Sequence, residues 1–491
     1  MIMTTPKSPT LFDALIPIAA LVLMLAISVY LFGSDSSSGP NQIVLTMAAA
    51  VASIVAIRNG HKWFDLQRAI IEGISTAMIA ILILLSVGAL IGTWLMAGTV
   101  PSLIYYGMQM LSPQWFFAAA CLICAIAALA TGSSWTVAGT LGVALIGVSM
   151  GLGLSPAIAA GAIVSGAYFG DKMSPLSDTT NLAPAVVGTD IFTHIRHMVW
   201  TTGPSFTVAL VLFALIGLGT DPQADSPALA QLMLTLDQSF NISAVALLPL
   251  AVVFYMAYKK IPPLPTILFG ALLGGVLAVI LQPEGVLRFA DSPELSRGMA
   301  MTKGVWLALS DGYVSTTGVA EVDNLLTRGG MSSMLVTIWL IMTALAFGAV
   351  LEHAGMLQRL VDGALKRAKS TGSLITTVVL SCIGINIVAA DQYIAIVLPG
   401  KMYRAEFARR RLEPKNLSRI IEDAGTLTSP LVPWNTCGAY MAATLGVTTL
   451  AYLPFAFFNL INPLVSIIYG FTGFTIVKMD EADEVAEPAA A

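Results

Sequence analysis

Charge is what this sequence has least of. Lys and Arg number 24 and Asp and Glu 28, together 11% of 491 residues, where a soluble chain carries about a quarter. So few charges cannot cover a water-facing surface of this size. Cysteine is scarce as well. Cys121, Cys124, Cys382 and Cys437 all fall in apolar stretches, which excludes a disulfide framework of exposed extracytoplasmic pairs. Cys121-x-x-Cys124 has no second Cys or His pair nearby, so it reads as packing rather than as a metal or redox centre. A net charge of −4 and the lack of a basic run outside the membrane flanks exclude nucleic acid as a partner.

What is present is hydrophobic: 56% of the residues, with a mean hydropathy of +0.82. The chain reads as an all-α polytopic membrane protein with lipid as its main solvent. Spans need about 20 apolar residues, and cytoplasmic loops collect Lys and Arg. Apolar segments lie at 12–32, 41–57, 74–96, 114–150, 155–189, 198–219, 242–257, 263–281, 331–351, 372–398, 420–452 and 454–476. The first, preceded by the single Lys7 and lacking a small-x-small cleavage site, reads as an uncleaved transmembrane helix rather than a signal peptide.

Basic residues mark the inside at Arg58, Lys62 and Arg68, Arg196, Lys259 and Lys260, 359–369, 401–419 and Lys478, while 33–40, 97–112 and 220–240 contain no Lys or Arg. Segment 372–398 is flanked by basic clusters on both sides, so a single crossing would strand one cluster outside. It is therefore expected to be a re-entrant hairpin with its tip at 386–392, and 114–150 a second hairpin with its tip at 131–135. The expectation is about ten transmembrane helices, two hairpins, two broken helices and cytoplasmic termini.

The chain also reads as duplicated. Gly73-Ile-Ser75 aligns with Gly330-Met-Ser332, Ala97-Gly98 with Ala354-Gly355, and Ser134 with Asp391; Gly170-Asp-Lys-Met-Ser-Pro-Leu176 aligns with Gly425-Thr-Leu-Thr-Ser-Pro-Leu431. The charge rule gives the two halves opposite orientations, the inverted-repeat architecture of secondary transporters. The expected divisions are 1–72, an N-terminal hairpin and linker; 73–219, the first repeat; 220–329, a connection with two spans; 330–477, the second repeat; and 478–491, an acidic tail. The stretch 34–39 and the tail from Asp480 are low-complexity ends or linkers.

Between Gly73 and Thr189 the only charges are Asp171, Lys172 and Asp178. Pro175 and Pro184 interrupt the helix there, and Asp171, Ser174, Ser177, Asp178, Thr179, Thr180 and Asn181 supply the oxygens that a dehydrated hard cation requires. Asp178, Asp171 and Asn181 are the first candidates for Na⁺. Intramembrane charges are costly and functional by default. The partner segment 422–436 offers neutral oxygens from Thr426, Thr428, Ser429, Asn435 and Thr436. The hairpin tips add Thr131, Ser133 and Ser134, and in the repeat Asn386, Asp391 and Gln392, where Asp391 is the only charge between Ser370 and Gly400. Glu422 and Asp423 read either as a solvated helix end paired with Arg419 or as a vestibule. His194 and His197 read as a snorkelling interfacial pair, and Lys172 as either neutralising Asp171 or competing with a cation.

The run Phe169-Gly-Asp-Lys-Met-Ser-Pro-Leu-Ser-Asp-Thr-Thr-Asn-Leu-Ala-Pro184 resembles the signature of the NhaC-type sodium/proton antiporters. Gly329-Gly-Met331, Ala390-Asp-Gln-Tyr393 and Pro433-Trp-Asn-Thr-Cys-Gly-Ala-Tyr440 are similar too, and the likeness spans roughly 10–475. The resemblance implies a place in the ion transporter superfamily, with hairpins and broken helices in a mobile transport domain, a scaffold domain and often a homodimer. It also implies a secondary active transporter of the cell inner membrane, exporting Na⁺ in exchange for H⁺ by elevator-like alternating access, with no resident cofactor. Similar proteins exchange organic acids, malate for lactate, with coupled sodium and protons, so a sodium-coupled organic-acid or amino-acid carrier is the alternative. An intramembrane aspartyl protease is disfavoured because Tyr168-Phe-Gly-Asp171 lacks the G-x-G-D pattern, and a channel because of the broken repeats.

Overall fold

The computed structural model describes residues 6–32, 36, 39–220, 227–366 and 368–479. Most of 34–39 and the tail from Asp480 lie outside them. Among the described residues there is no β-strand, only isolated bridges between Tyr313 and Arg328 and between Leu412 and Lys478. This all-helical architecture follows from lipid as solvent, since a helix satisfies its backbone polar groups within one segment.

The N-terminal part comprises α1 (Leu11–Phe32), α2 (Pro40–Arg58), α3 (Trp63–Thr76), α4 (Met78–Met96) and α5 (Thr99–Met110). Then come α6 (Phe116–Thr131) and α7 (Ser134–Val137), which runs through a π-helical stretch at Ala138–Gly142 into α8 (Val143–Gly151). α9 (Pro156–Met173) and α10 (Asp178–Val187) are followed by the long α11 (Ile191–Leu218). α12 (Pro227–Ser239), α13 (Leu248–Tyr258) and α14 (Pro263–Leu281) lead to three short helices, α15 (Pro283–Ala290), α16 (Arg297–Ser310) and α17 (Ala320–Leu326), which hydropathy did not delimit. The last part holds α18 (Leu335–His353), α19 (Met356–Leu365), α20 (Thr371–Val388), α21 (Gln392–Arg409), α22 (Pro414–Ile421), α23 (Thr436–Leu445), α24 (Thr449–Tyr452) and α25 (Phe457–Thr472).

Among the described residues eight helices are long and apolar enough to cross a membrane, or ten if each bent pair counts as one span. Two of the eight, 134–151 and 371–388, are arms of the segments expected as hairpins. The fold is thus that of a polytopic membrane protein.

The helix interruptions have local causes. Gly132 ends α6 in the left-handed region at φ 69°, which glycine adopts without steric cost. Pro175 biases Ser174 to an extended backbone, φ −86° and ψ 128°, because its ring excludes the helical conformation of the preceding residue. The turn between α20 and α21 needs a positive φ too, and there Ala390 adopts 58°.

α6 and α9 pack closely through small residues. A Cβ at Gly166 would lie 2.0 Å from the Cys121 carbonyl oxygen, and one at Gly170 2.2 Å from that of Ala125, the small-xxx-small contact of membrane helices. The four cysteines are buried and unpaired. Basic and terminal segments meet at one end: Lys7 N–H donates to the Asn59 carbonyl and Glu413 N–H to that of Val477. At the same end Arg58 pairs with Asp13.

Candidate functional site

Four helix starts converge on one cavity of about 530 Å³. Each has a polar N-cap whose side chain accepts a backbone N–H: Ser133 for α7, Ser177 for α10, Asp391 for α21 and Asn435 for α23. Such caps hold a helix start to about 1 kcal/mol each, and the four leave positive dipole ends at the cavity. Its lining includes Thr131, Ser133, Ser134, Asp171, Ser177, Asp178, Thr179, Asp391, Gln392 and Thr436. Both hairpin tips and both helix breaks therefore meet there, although Thr131 and Thr436 lie at opposite ends of a stretch of more than three hundred positions.

The carboxylates stand in different settings. Asp171 is buried, and its Oδ2 accepts from Ser134 N–H at 3.0 Å and Ser134 Oγ at 2.6 Å, tying the α6–α7 tip to α9. Asp178, on the first turn of α10, is exposed and lines the cavity. Asp391 caps α21 through Ile394 N–H at 2.9 Å and is also buried.

The remaining polar residues singled out by sequence brace the breaks without lining the cavity. Ser174 Oγ accepts from Leu176 N–H. Thr180 donates to the Lys172 carbonyl at 3.0 Å, and Asn181 donates to the carbonyls of Pro175 and Ser177. Asn386 donates to the Gly425 carbonyl at 2.7 Å and to Thr428 Oγ1 at 3.0 Å; Asn435 donates back to Asn386 Oδ1 at 3.1 Å. Ser429 donates to Gln392 Oε1 at 3.0 Å. Asn181 thus braces the break rather than lining the cavity with Asp171 and Asp178.

The structure adds residues that sequence reasoning missed. Trp135 and Tyr393 line the cavity. Tyr440 stacks on Trp135, centroids 4.0 Å apart at 12°, and its hydroxyl donates to the Trp135 carbonyl at 2.9 Å. The lining also takes in the α3–α4 junction, Thr76 and Ala77, and the α13–α14 turn, Lys260 to Pro263. Lys260 holds φ 60°. A non-glycine residue in that region is rare and costs of order 1–3 kcal/mol. Its membership of a basic pair was legible; its place in the wall was not.

Three expectations are corrected. Glu422 and Asp423 are not a solvated helix end: both are fully buried. Lys172 neither pairs with Asp171 nor lines the cavity; its Nζ lies 2.5 Å from Asp423 Oδ1. His194 and His197 are buried rather than snorkelling, because α22 packs over them and His194 Nδ1 meets Ser418 Oγ at 2.8 Å.

Comparison with known proteins agrees with this architecture. A family model described as the Na⁺/H⁺ antiporter family matches residues 166–474. The Na⁺/H⁺ antiporter NhaC of Alkalihalophilus pseudofirmus is 40% identical over 89% of this chain and 91% of that protein. A malate-2H⁺/Na⁺-lactate antiporter of Bacillus subtilis is 37% identical over 95% and 96%. An arginine/ornithine antiporter, ArcD, of Halobacterium salinarum is 35% identical over 98% and 96%. These relatives are named as transporters, not enzymes, and on that match the chain belongs to the Na⁺/H⁺ antiporter family.

Proposed function

We propose that this protein exports Na⁺ in exchange for H⁺ by alternating access, with Asp178 and Asp171 as the exchanging carboxylates and Asp391 contributing from the second tip. The observation that carries this reading is the cavity itself: Asp178 lies open in it, beside neutral oxygens from both tips and both breaks. A hard cation sheds water only where such oxygens replace it. A carboxylate that binds either ion but not both makes exchange obligatory, because an empty ionised site is costly to move through low dielectric. Each net charge moved is worth about 2.3 kcal/mol per 100 mV, so unequal stoichiometry lets the potential drive sodium out.

The cavity includes Lys260, on the side that the charge rule assigns to the cytoplasm, which is the arrangement of an inward-open state. In this reading the tips and broken helices form a mobile domain of two inverted repeats that moves, elevator-like, against a scaffold including the 257–266 turn. The setting is the cell inner membrane, with cytoplasmic termini and a homodimer. Sodium-induced dissipation of a pH gradient in proteoliposomes tests it. Wild-type exchange by Asp178→Asn would remove that residue from the mechanism.

A second reading is favoured by one specific arrangement. Four helix N-termini and Lys260 also suit a carboxylate, and two relatives are named for organic-acid and amino-acid exchange. Sodium-dependent uptake of labelled malate or lactate separates the two.

A further inference from the structure

The connection that precedes α18 is fixed to the same body as the 257–266 turn. α4 packs on α14, which begins at that turn, with Trp94 Nε1 donating to the Gly270 carbonyl at 3.0 Å. The connection in turn is locked to α4: Gly330 N–H donates to the Gly88 carbonyl at 2.7 Å, and a Cβ at Gly92 would lie 2.0 Å from the Ala308 carbonyl oxygen. Tyr313 and Arg328 exchange both backbone hydrogen bonds, at 3.2 and 3.1 Å, and Thr327 Oγ1 accepts from Ser315 N–H at 3.0 Å. The base of the 313–328 loop, and Arg328 with it, is thereby held in place.

α23 is held instead by the two hairpin tips. Thr436 N–H donates to the Ala390 carbonyl at 3.0 Å, and Asn435 is bonded to Asn386. From the other tip Trp135 stacks on Tyr440. This helix therefore travels with the tips when they move.

A charged side chain crosses from the first body to the second. Arg328 is half-buried, and its guanidinium lies at the C-terminal end of α23. A Cβ at Gly446, which ends that helix at φ 69°, would stand 3.5 Å from Arg328 Nη1. Among the described residues no carboxylate pairs with Arg328. What the guanidinium meets is the end of a helix, where the last carbonyls lack intrahelical donors and carry partial negative charge that a cation complements. α14 runs from the Lys260 turn to Leu281, so the connection after it, which carries Arg328, lies at the face opposite Lys260. In the inward-open arrangement that is the closed face.

We propose that Arg328 is a positioning residue of the exchange, which holds the C-terminal end of α23 against the fixed loop while the cavity is open to the cytoplasm. The assignment rests on the alternating-access reading above. Displacement of the tips against the scaffold carries α23 away from Arg328, so the contact exists in one state and is lost in the other. It shifts the balance toward the inward-open state by that difference. A cargo ion arriving from outside meets only the outward-open fraction, and its apparent affinity is reduced by that fraction. The contact is electrostatic throughout, and no covalent bond or proton changes place.

The test compares full-length wild type with Arg328→Gln, Arg328→Met and Arg328→Lys in everted and in right-side-out membrane vesicles, with Na⁺-driven proton movement followed by a pH dye. Arg328→Met keeps an apolar stem in the half-buried site and serves as the second neutral variant. In both neutral variants the half-saturating Na⁺ concentration at the external face is expected to fall about threefold, the scale of one cation at a helix C-terminus. The cytoplasmic value is expected not to fall, and Arg328→Lys, which retains the charge, is expected to stay near wild type at both faces. A residue needed only for folding would lower the rate from both sides without separating the two affinities. Unchanged affinities in the folded neutral variants overturn the assignment, as does a shift in the same direction at both faces, or an Arg328→Lys protein that behaves like Arg328→Gln. Absence of Na⁺-driven proton movement in wild-type vesicles overturns the cation reading, and this assignment with it.

Discussion

Lys172 and Asp423, 251 positions apart in sequence, form a fully buried ion pair with Nζ 2.5 Å from Oδ1. The pair joins the last turn of α9, in one expected repeat, to the π-helical stretch after α22 in the other. Breaking such a pair leaves an uncompensated buried charge. Lys172→Met or Asp423→Leu alone is therefore expected to cost about 3–5 kcal/mol, whereas the double variant recovers most of it. Thermal unfolding in detergent, followed by tryptophan fluorescence, measures this; equal destabilisation by single and double variants would count against a paired role.

The Ser134 hydroxyl holds Asp171 at 2.6 Å. Hydrogen bonds to charged groups contribute about 1.5–3 kcal/mol, so Ser134→Ala is expected to weaken apparent Na⁺ affinity by roughly ten- to hundredfold. Initial exchange rates against Na⁺ concentration provide the check. An unchanged KM would detach the hairpin tip from the ion site.

Lys260 is exposed and lines the same cavity as Asp178. Removing its charge with Lys260→Gln takes away repulsion toward a cation, worth about 1 kcal/mol in a hydrated setting. Apparent Na⁺ affinity is expected to rise several-fold, with a smaller change at high ionic strength because salt screens the interaction. A fall in labelled-carboxylate uptake with no gain for Na⁺ would favour the organic-acid reading.

Outside the spans, Asp323 anchors the loop before α18. Burial pushes its carboxyl up, but bonds from Thr317 N–H at 2.7 Å, Ser315 Oγ at 2.8 Å and Gly318 N–H at 3.1 Å outweigh that and hold it below the usual carboxylate range. A depressed folded value means stability present above the unfolded value and lost as pH falls through the folded one. Loop 313–328 is expected to stay protected near neutrality and to loosen only below about pH 4. Amide hydrogen exchange against pH checks this, and Asp323→Asn should show the loosened exchange at neutral pH.

Much of this protein was legible from residue order. Scarce charge and long apolar runs dictated a helical membrane protein, since lipid leaves backbone groups no other partner. Pro175, the 131–135 tip and the 422–436 stretch marked interruptions, because proline and glycine act on their own backbone, whereas Pro184, expected to break the helix as well, sits inside α10. Asp171, Asp178 and Asp391 stood out as isolated charges in apolar surroundings. Tertiary structure alone decided where those groups point. It turned Lys172 from its neighbour Asp171 to Asp423, buried His194 and His197 beneath α22, bonded Asn181 to the backbone of the break and brought Lys260 into the cavity wall. The reason is physical: backbone preference acts within a few residues, whereas the partner of a buried charge is set by which helices pack together, here across more than two hundred positions.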